Sequence, residues 1–235
     1  MNFSSKDAAD KSALETAQAD ADFAASRRAM VLEQIRRRGI GSPRVLEAML
    51  AVPRHKFVPA ESRTLAYADH PLPIGEGQTI SQPYMVAVMA DALALTGSER
   101  ILEVGTGSGY QAAVLSLLAR EVFTVESRTS LALAARQRLA QLGYLNVDVH
   151  AGDGTLGLPE LAPFDAIVVA AAAPRVPPPL LEQLAEGGRL VIPVGQSEQQ
   201  ELLEVRKTRG ETTSRALHYC RFVPLVGRYG WRHSA

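Results

Sequence analysis

From Arg100 to Gly195, short apolar runs alternate with amphipathic stretches of helical length, and this alternation constrains the fold more than any other feature of the chain. RILEV (100–104), EVFTVE (121–126), NVDVHA (146–151), FDAIVVAA (164–171) and RLVIPVG (189–195) read as strands. Residues 109–119, Leu131 to Leu142 and a stretch around Leu180 to Leu184 read as helices. Apolar strands separated by helices must be covered on both faces, so the fold class is α/β, with a doubly wound, mostly parallel sheet. The pattern then changes. ELLEVRK (201–207) and RALHYCRFVPL (215–225) flank the turn Arg209-Gly210-Glu211 with no helix between them, which predicts an antiparallel C-terminal strand pair on the sheet edge.

Ahead of the sheet, Val31, Leu32 and Ile35 share a helical face that Gly39 ends. Ser42-Pro43 caps a second helix, stopped by Pro53, and Pro83 opens a third. Between them, residues 71–83 are too rich in Gly and Pro for a regular element, yet Leu72, Ile74 and Ile80 predict a loop held against the body. Residues 1–29 mix acids and bases without apolar periodicity and read as a poorly ordered tail. The domain is therefore expected to span 30–227, with 228–235 as a second tail. Lys+Arg and Asp+Glu are both 25, so no net field draws the chain to nucleic acid or an anionic membrane. No apolar run approaches the ~18 residues of a spanning helix. One cysteine, Cys220, allows no internal disulfide and reads as a small buried hydrophobe, which points to the cytoplasm. His55, His70, His150, His218 and His233 are too scattered to predict a metal, and Arg36 to Arg38 read as a solvent-facing helix end.

The loop after the first parallel strand, EVGTGSG, carries the chemistry. Gly105, Gly107 and Gly109 permit positive φ and let a ligand approach the backbone, with Thr106 and Ser108 between them. The spacing is G-x-G-x-G, not that of dinucleotide sites, and Glu103 stands two residues upstream. That carboxylate suits a cationic amino acid tail better than a pyrophosphate. Glu126 ends the next strand about twenty residues on, where an acid can accept both ribose hydroxyls. Asp153 ends the third strand, placed for an exocyclic adenine amine. Acids at the carboxyl edge of one open sheet point to S-adenosylmethionine.

LPIGEGQTISQPYMV (72–86), followed by ILEVGTGSGYQAAVLS, VESR, GDG, PFDAIVVAAAAP, LAEGGRLVIPVG and RFVPLVG, closely resembles the protein-L-isoaspartate O-methyltransferase family from about Met30 to Gly227. The resemblance implies the Rossmann-like fold of S-adenosylmethionine-dependent methyltransferases. It also implies methylation of the α-carboxylate of L-isoaspartyl residues in damaged proteins, with S-adenosyl-L-homocysteine as product. By the family pattern Ser81 falls on the active-site serine, and Thr79, Ile80, Ser81 and Gln82 line cofactor and substrate. Glu103, Gly105 to Gly109, Glu126, Asp153 and Gly154 fall on cofactor contacts, and Val223, Pro224 and Leu225 on the peptide contact. Members carry Thr where this chain has Ala170, which removes a hydroxyl near the sheet edge.

An ionised carboxylate is already a competent nucleophile, so the reaction needs positioning and dryness more than a general base. Ser81 can donate to one carboxylate oxygen while Ile80 and Val223 exclude water. Two rivals use similar parts: a nicotinamide dehydrogenase, which needs the dinucleotide glycine spacing and a proton donor, and a non-catalytic adenosyl-binding module, which leaves GQTISQP unexplained. Isoaspartyl proteins and peptides are the expected partners, and a monomer the expected state.

Overall fold

A computed structural model describes residues 21–196 and 199–232. Seven strands form the main sheet: β3 (Arg100–Val104), β4 (Glu121–Glu126), β5 (Val147–Ala151), β6 (Phe164–Val169), β7 (Leu184–Gln196), β8 (Gln199–Thr208) and β9 (Glu211–Cys220). Their order is β5-β4-β3-β6-β7-β8-β9. β3 to β7 run parallel, and β8 and β9 are antiparallel additions. The chain starts at β3, works outward to β5, then crosses back to β6. The order therefore reverses at β3, where ligands bind in open α/β sheets.

Period-two alternation sorts the strand residues into two cores. Ile101, Val122, Ala166, Val168 and Val191 join the cluster beneath α2 (Pro43–Ala51), α3 (Pro83–Leu93), α4 (Tyr110–Ser116) and α5 (Thr129–Gln141). Leu102, Val104, Ile167, Leu190 and Ile192 face the other way, toward α6 (Pro178–Gln183) and short 3-10 turns. This second face is thinly covered, since the segment joining β5 to β6 forms two single-turn elements in place of a long helix.

Several local expectations hold and several need correction. Ser42 caps α2 through Val45 N–H, Pro43 begins it, and Gly39 takes φ 101° after the first helical segment. Residues 71–83, expected to be a loop, contain a hairpin of β1 (Leu72–Gly75) and β2 (Gln78–Ile80), turned by Gly75, Glu76 and Gly77 at positive φ. Its buried Leu72 and Ile80 pair across the ladder, which the glycine content hides from a composition count.

β9 stops at Cys220, short of the expected 225. Beyond it the backbone bonds to Ala172: Ala172 N–H to Val223 O (2.8 Å) and Leu225 N–H to Ala172 O (2.8 Å). Pro224 has no N–H with which to extend the ladder.

The expected boundary at residue 30 falls inside helical backbone, because residues 21–29 form helix α1. Phe23 stacks on His55 (4.1 Å, 10°), and Arg27 donates to the Tyr67 hydroxyl (3.3 Å). Such a ring pair adds about 0.5–1.5 kcal/mol beyond its area. The rest of the expected N-terminal tail, and His233, lie outside the described residues. Among the described residues no helix is long and apolar enough to cross a membrane.

Candidate active site

At the carboxyl ends of β3, β4 and β6, two clefts share a wall. The first is lined by Gly105 to Ser108, Glu126, Gly154, the Gln78–Ser81 arm of the hairpin and Val223 to Val226. The second runs over Arg38, Gln82, Tyr84, His218 and Arg221. Thr79, Ser81, Ala170, Val223 and Pro224 line both. The half-buried Ser81 thus sits at the junction, free of capping duty. Gln82 occupies the cap of α3, and no side chain bonds there.

The glycine loop takes its predicted conformation, with φ of 96°, 53° and 87° at Gly105, Gly107 and Gly109. A Cβ on Gly107 would come within 3.2 Å of Ile74 of the hairpin. A Cβ on Gly109 would press Leu139 at 3.1 Å, so this glycine serves helix packing and does not line the cleft. Glu126 lines the cleft and clasps the loop: Oε2 accepts Gly107 N–H (2.9 Å), and Oε1 accepts Arg128 N–H (3.0 Å). Gly154 packs its backbone on β3 and β4, and a Cβ there would lie 2.5 Å from Val104 Cγ1.

Three further predicted cofactor residues stand elsewhere. Glu103 is fully buried and does not line the cleft; it pairs in register with Thr124, whose hydroxyl donates to Oε2 (2.5 Å). Thr124 in turn lies 2.7 Å from the Thr106 hydroxyl, so the carboxyl reaches the cleft through two hydroxyls. Burial pushes Glu103 up to about 8, against the stabilising Thr124 bond.

Asp153 is occupied within the protein. Oδ1 accepts from Thr155 N–H (2.9 Å) and hydroxyl (2.6 Å), and Oδ2 accepts Arg228 N–H (2.8 Å). Gln82 donates to Asp69 O (3.1 Å) and belongs to the second cleft.

Other residues were not singled out by the sequence pattern. Ser127 and Arg128 line the first cleft, and their position right after Glu126 was the available signal. So do Tyr110 and Gln111, in the first turn after the glycine loop. Arg54, buried and held at Ala66 O (2.7 Å), lies over the Tyr110 ring (4.8 Å). Residues 228–231, expected to be a tail, form a turn fastened by Trp231 Nε1–H to Ala172 O (3.0 Å) and Tyr229 N–H to the Thr155 hydroxyl (3.1 Å). Arg38, expected to face solvent, pairs with Asp69 (2.8 Å) and lies over the Tyr84 ring (3.4 Å) at the wall of the second cleft. Cys220 is half-buried, and desolvation pushes its thiol up to about 11.

Sheet order, glycine loop and adjoining clefts define the class as a Rossmann-like methyltransferase. A family model for protein-L-isoaspartate(D-aspartate) O-methyltransferase matches residues 25–230, so the chain belongs to that family. A protein-L-isoaspartate O-methyltransferase 2 of Pelobacter propionicus is 60% identical over 208 residues, covering 87% of this chain and 92% of the relative. One from Roseiflexus castenholzii is 57% identical over 210 residues, covering 89% and 96%.

Among solved structures, a protein-L-isoaspartate O-methyltransferase superposes with a TM-score of 0.79 at 29% identity, over 86% of this chain and 67% of that one. A Plasmodium falciparum protein-L-isoaspartate O-methyltransferase in complex with S-adenosyl-L-homocysteine gives 0.73 at 28% identity, over 85% and 98%.

Proposed function

We propose that the first cleft holds S-adenosylmethionine and the second the isoaspartyl chain, with Ser81 at their meeting point. The activity is that of the family: methyl transfer from S-adenosylmethionine to the α-carboxylate of L-isoaspartyl residues, as a repair reaction. The observation that carries the division of labour is the set of residues common to both clefts, Ser81 among them.

The walls suit an adenosyl group with an amino acid tail. Glu126 accepts from two N–H groups and the Ser127 hydroxyl and keeps acceptor capacity for a ribose hydroxyl. Gly154, with no room for a Cβ, offers bare backbone beside the base. When bound, S-adenosylmethionine supplies a sulfonium methyl open to nucleophilic attack. Ser81 donates its hydroxyl to one carboxylate oxygen and leaves the other directed at the junction. Ile80, Val223 and Leu225 keep water out, which strengthens that hydrogen bond. No general base is needed, because the nucleophile is already ionised at neutral pH. The methyl ester later loses methanol as the neighbouring backbone amide closes the succinimide, whose hydrolysis returns part of the chain to normal aspartate.

A single cysteine, which allows no internal disulfide, supports a cytoplasmic home. Methyl transfer to matched peptides is the test. The isoaspartyl peptide is methylated, and its aspartyl twin, whose carboxylate sits one methylene further from the backbone, is at least about 100-fold slower. Equal rates on the two would remove the assignment.

A further inference from the structure

We propose that the side-chain amide of Gln111 binds the zwitterionic amino acid tail of S-adenosylmethionine, Nε2–H donating to its carboxylate and Oε1 accepting from its ammonium; this rests on the S-adenosylmethionine reading of the first cleft. Gln111 is 7% exposed, and both its polar atoms are buried with no hydrogen-bond partner among the described residues. A native fold rarely leaves a primary amide wholly unpaired, because it forfeits its bonds to water and regains none. Gln34, Arg54, Glu103 and His150 also hold buried atoms without a hydrogen bond, but none of the four lines the cleft, whereas Gln111 does, beside Thr106 and Tyr110.

The chemistry selects the tail over the nucleoside. Glu126 and Gly154, on the β4 and β5 side, answer the ribose and the base. What is left of the cofactor is the α-amino acid end, the part that presents a cation and an anion on one carbon. A carboxamide offers one acceptor and one donor group at matching separation, and either orientation of the amide serves, since both atoms are free. Glu103 lies behind this end through Thr124 and Thr106, a buried carboxyl that does not touch the cleft.

The role makes two effects move in opposite directions. Gln111→Met keeps the shape of the side chain and removes the unpaired amide. Titration calorimetry of the full chain with S-adenosylhomocysteine then reads an affinity lower by about tenfold. With 5′-methylthioadenosine, which has no amino acid tail, the affinity stays within about twofold of wild type. The ligand-free variant melts no lower than wild type, because an uncompensated buried polar group has gone. Gln111→Leu repeats the measurement should Met pack badly. Equal losses for both ligands, no loss for S-adenosylhomocysteine, or a lowered ligand-free melting temperature in both variants overturns the assignment. Wild-type protein that binds neither ligand overturns the cofactor reading itself, so the two failures are distinguishable.

Discussion

The two halves of the site are built on different principles. The proposed cofactor half comes mainly from consecutive segments: β3, its glycine loop, α4 and the ends of β4 and β5, with the hairpin arm and Val223 to Val226 closing the cleft. The proposed acceptor half joins the β1–β2 hairpin to residues 221–231, a later segment bonded down by Ala172, Asp153, Thr155 and Gln200. Consecutive segments can be aimed by the intrinsic geometry of a strand–loop–helix unit. Distant segments need explicit fasteners, here the backbone of Ala172 and the half-buried Asp153 side chain, whose loss is felt on both sides.

The largest separation between the halves is expected from Glu126→Ala. It removes a charged acceptor from the cofactor half alone, so affinity for S-adenosylhomocysteine falls by about 10–150-fold, equivalent to about 1.5–3 kcal/mol. Turnover at saturating cofactor stays near wild type. Calorimetry with steady-state kinetics checks this, and a variant slowed in turnover at full saturation would break the division.

Ser81→Ala should do the reverse on a smaller scale. Turnover on the isoaspartyl peptide falls on the order of tenfold, the worth of one hydrogen bond to a charged group, with cofactor affinity kept. A matching loss in calorimetry would merge the two halves.

Asp153→Ala tests the fastener. Losing the Thr155 and Arg228 bonds costs about 1–2 kcal/mol, a melting shift of about 2–8 °C at this size. Because Gly154 and Leu225 sit on either side of the tie, cofactor affinity and peptide KM both worsen a few-fold. A change in one alone would show that the halves are independent.

A separate effect, on stability alone, concerns Glu103. Its carboxyl titrates near 8 when folded and at its ordinary 4.5 when unfolded, so the folded state holds the extra proton between these values. Stability of the ligand-free protein therefore declines as pH rises from about 4.5 to about 8, and Glu103→Gln flattens that decline. Thermal melts across the window check it, and identical slopes would show that Glu103 ionises freely.

Legibility in the sequence follows the same contrast. RILEV and EVFTVE coincide with β3 and β4 because buried parallel strands are uniformly apolar and bounded by loops. The glycine loop and Glu126 were legible for the same local reason. The hairpin was hidden by its glycines, which supply the turn yet read as loop composition. Asp153 stands at the end of its strand as the pattern suggests, but the residue it holds, Arg228, is distant in sequence, and no spacing announces a side chain that accepts from so remote a backbone N–H. Glu103 was read as facing a ligand because one residue of register decides which way a strand side chain turns, and that register is fixed by Thr124 on the neighbouring strand.

Residues 221–231 emerge from the ribosome long after the glycine loop, on the order of ten seconds later at typical elongation rates. During that interval a nascent chain carries the glycine loop and Glu126 but lacks Val223 and Pro224, which line both clefts. Competence to capture a damaged peptide is therefore acquired late, in one step, when Leu225 N–H and Trp231 Nε1–H close onto Ala172.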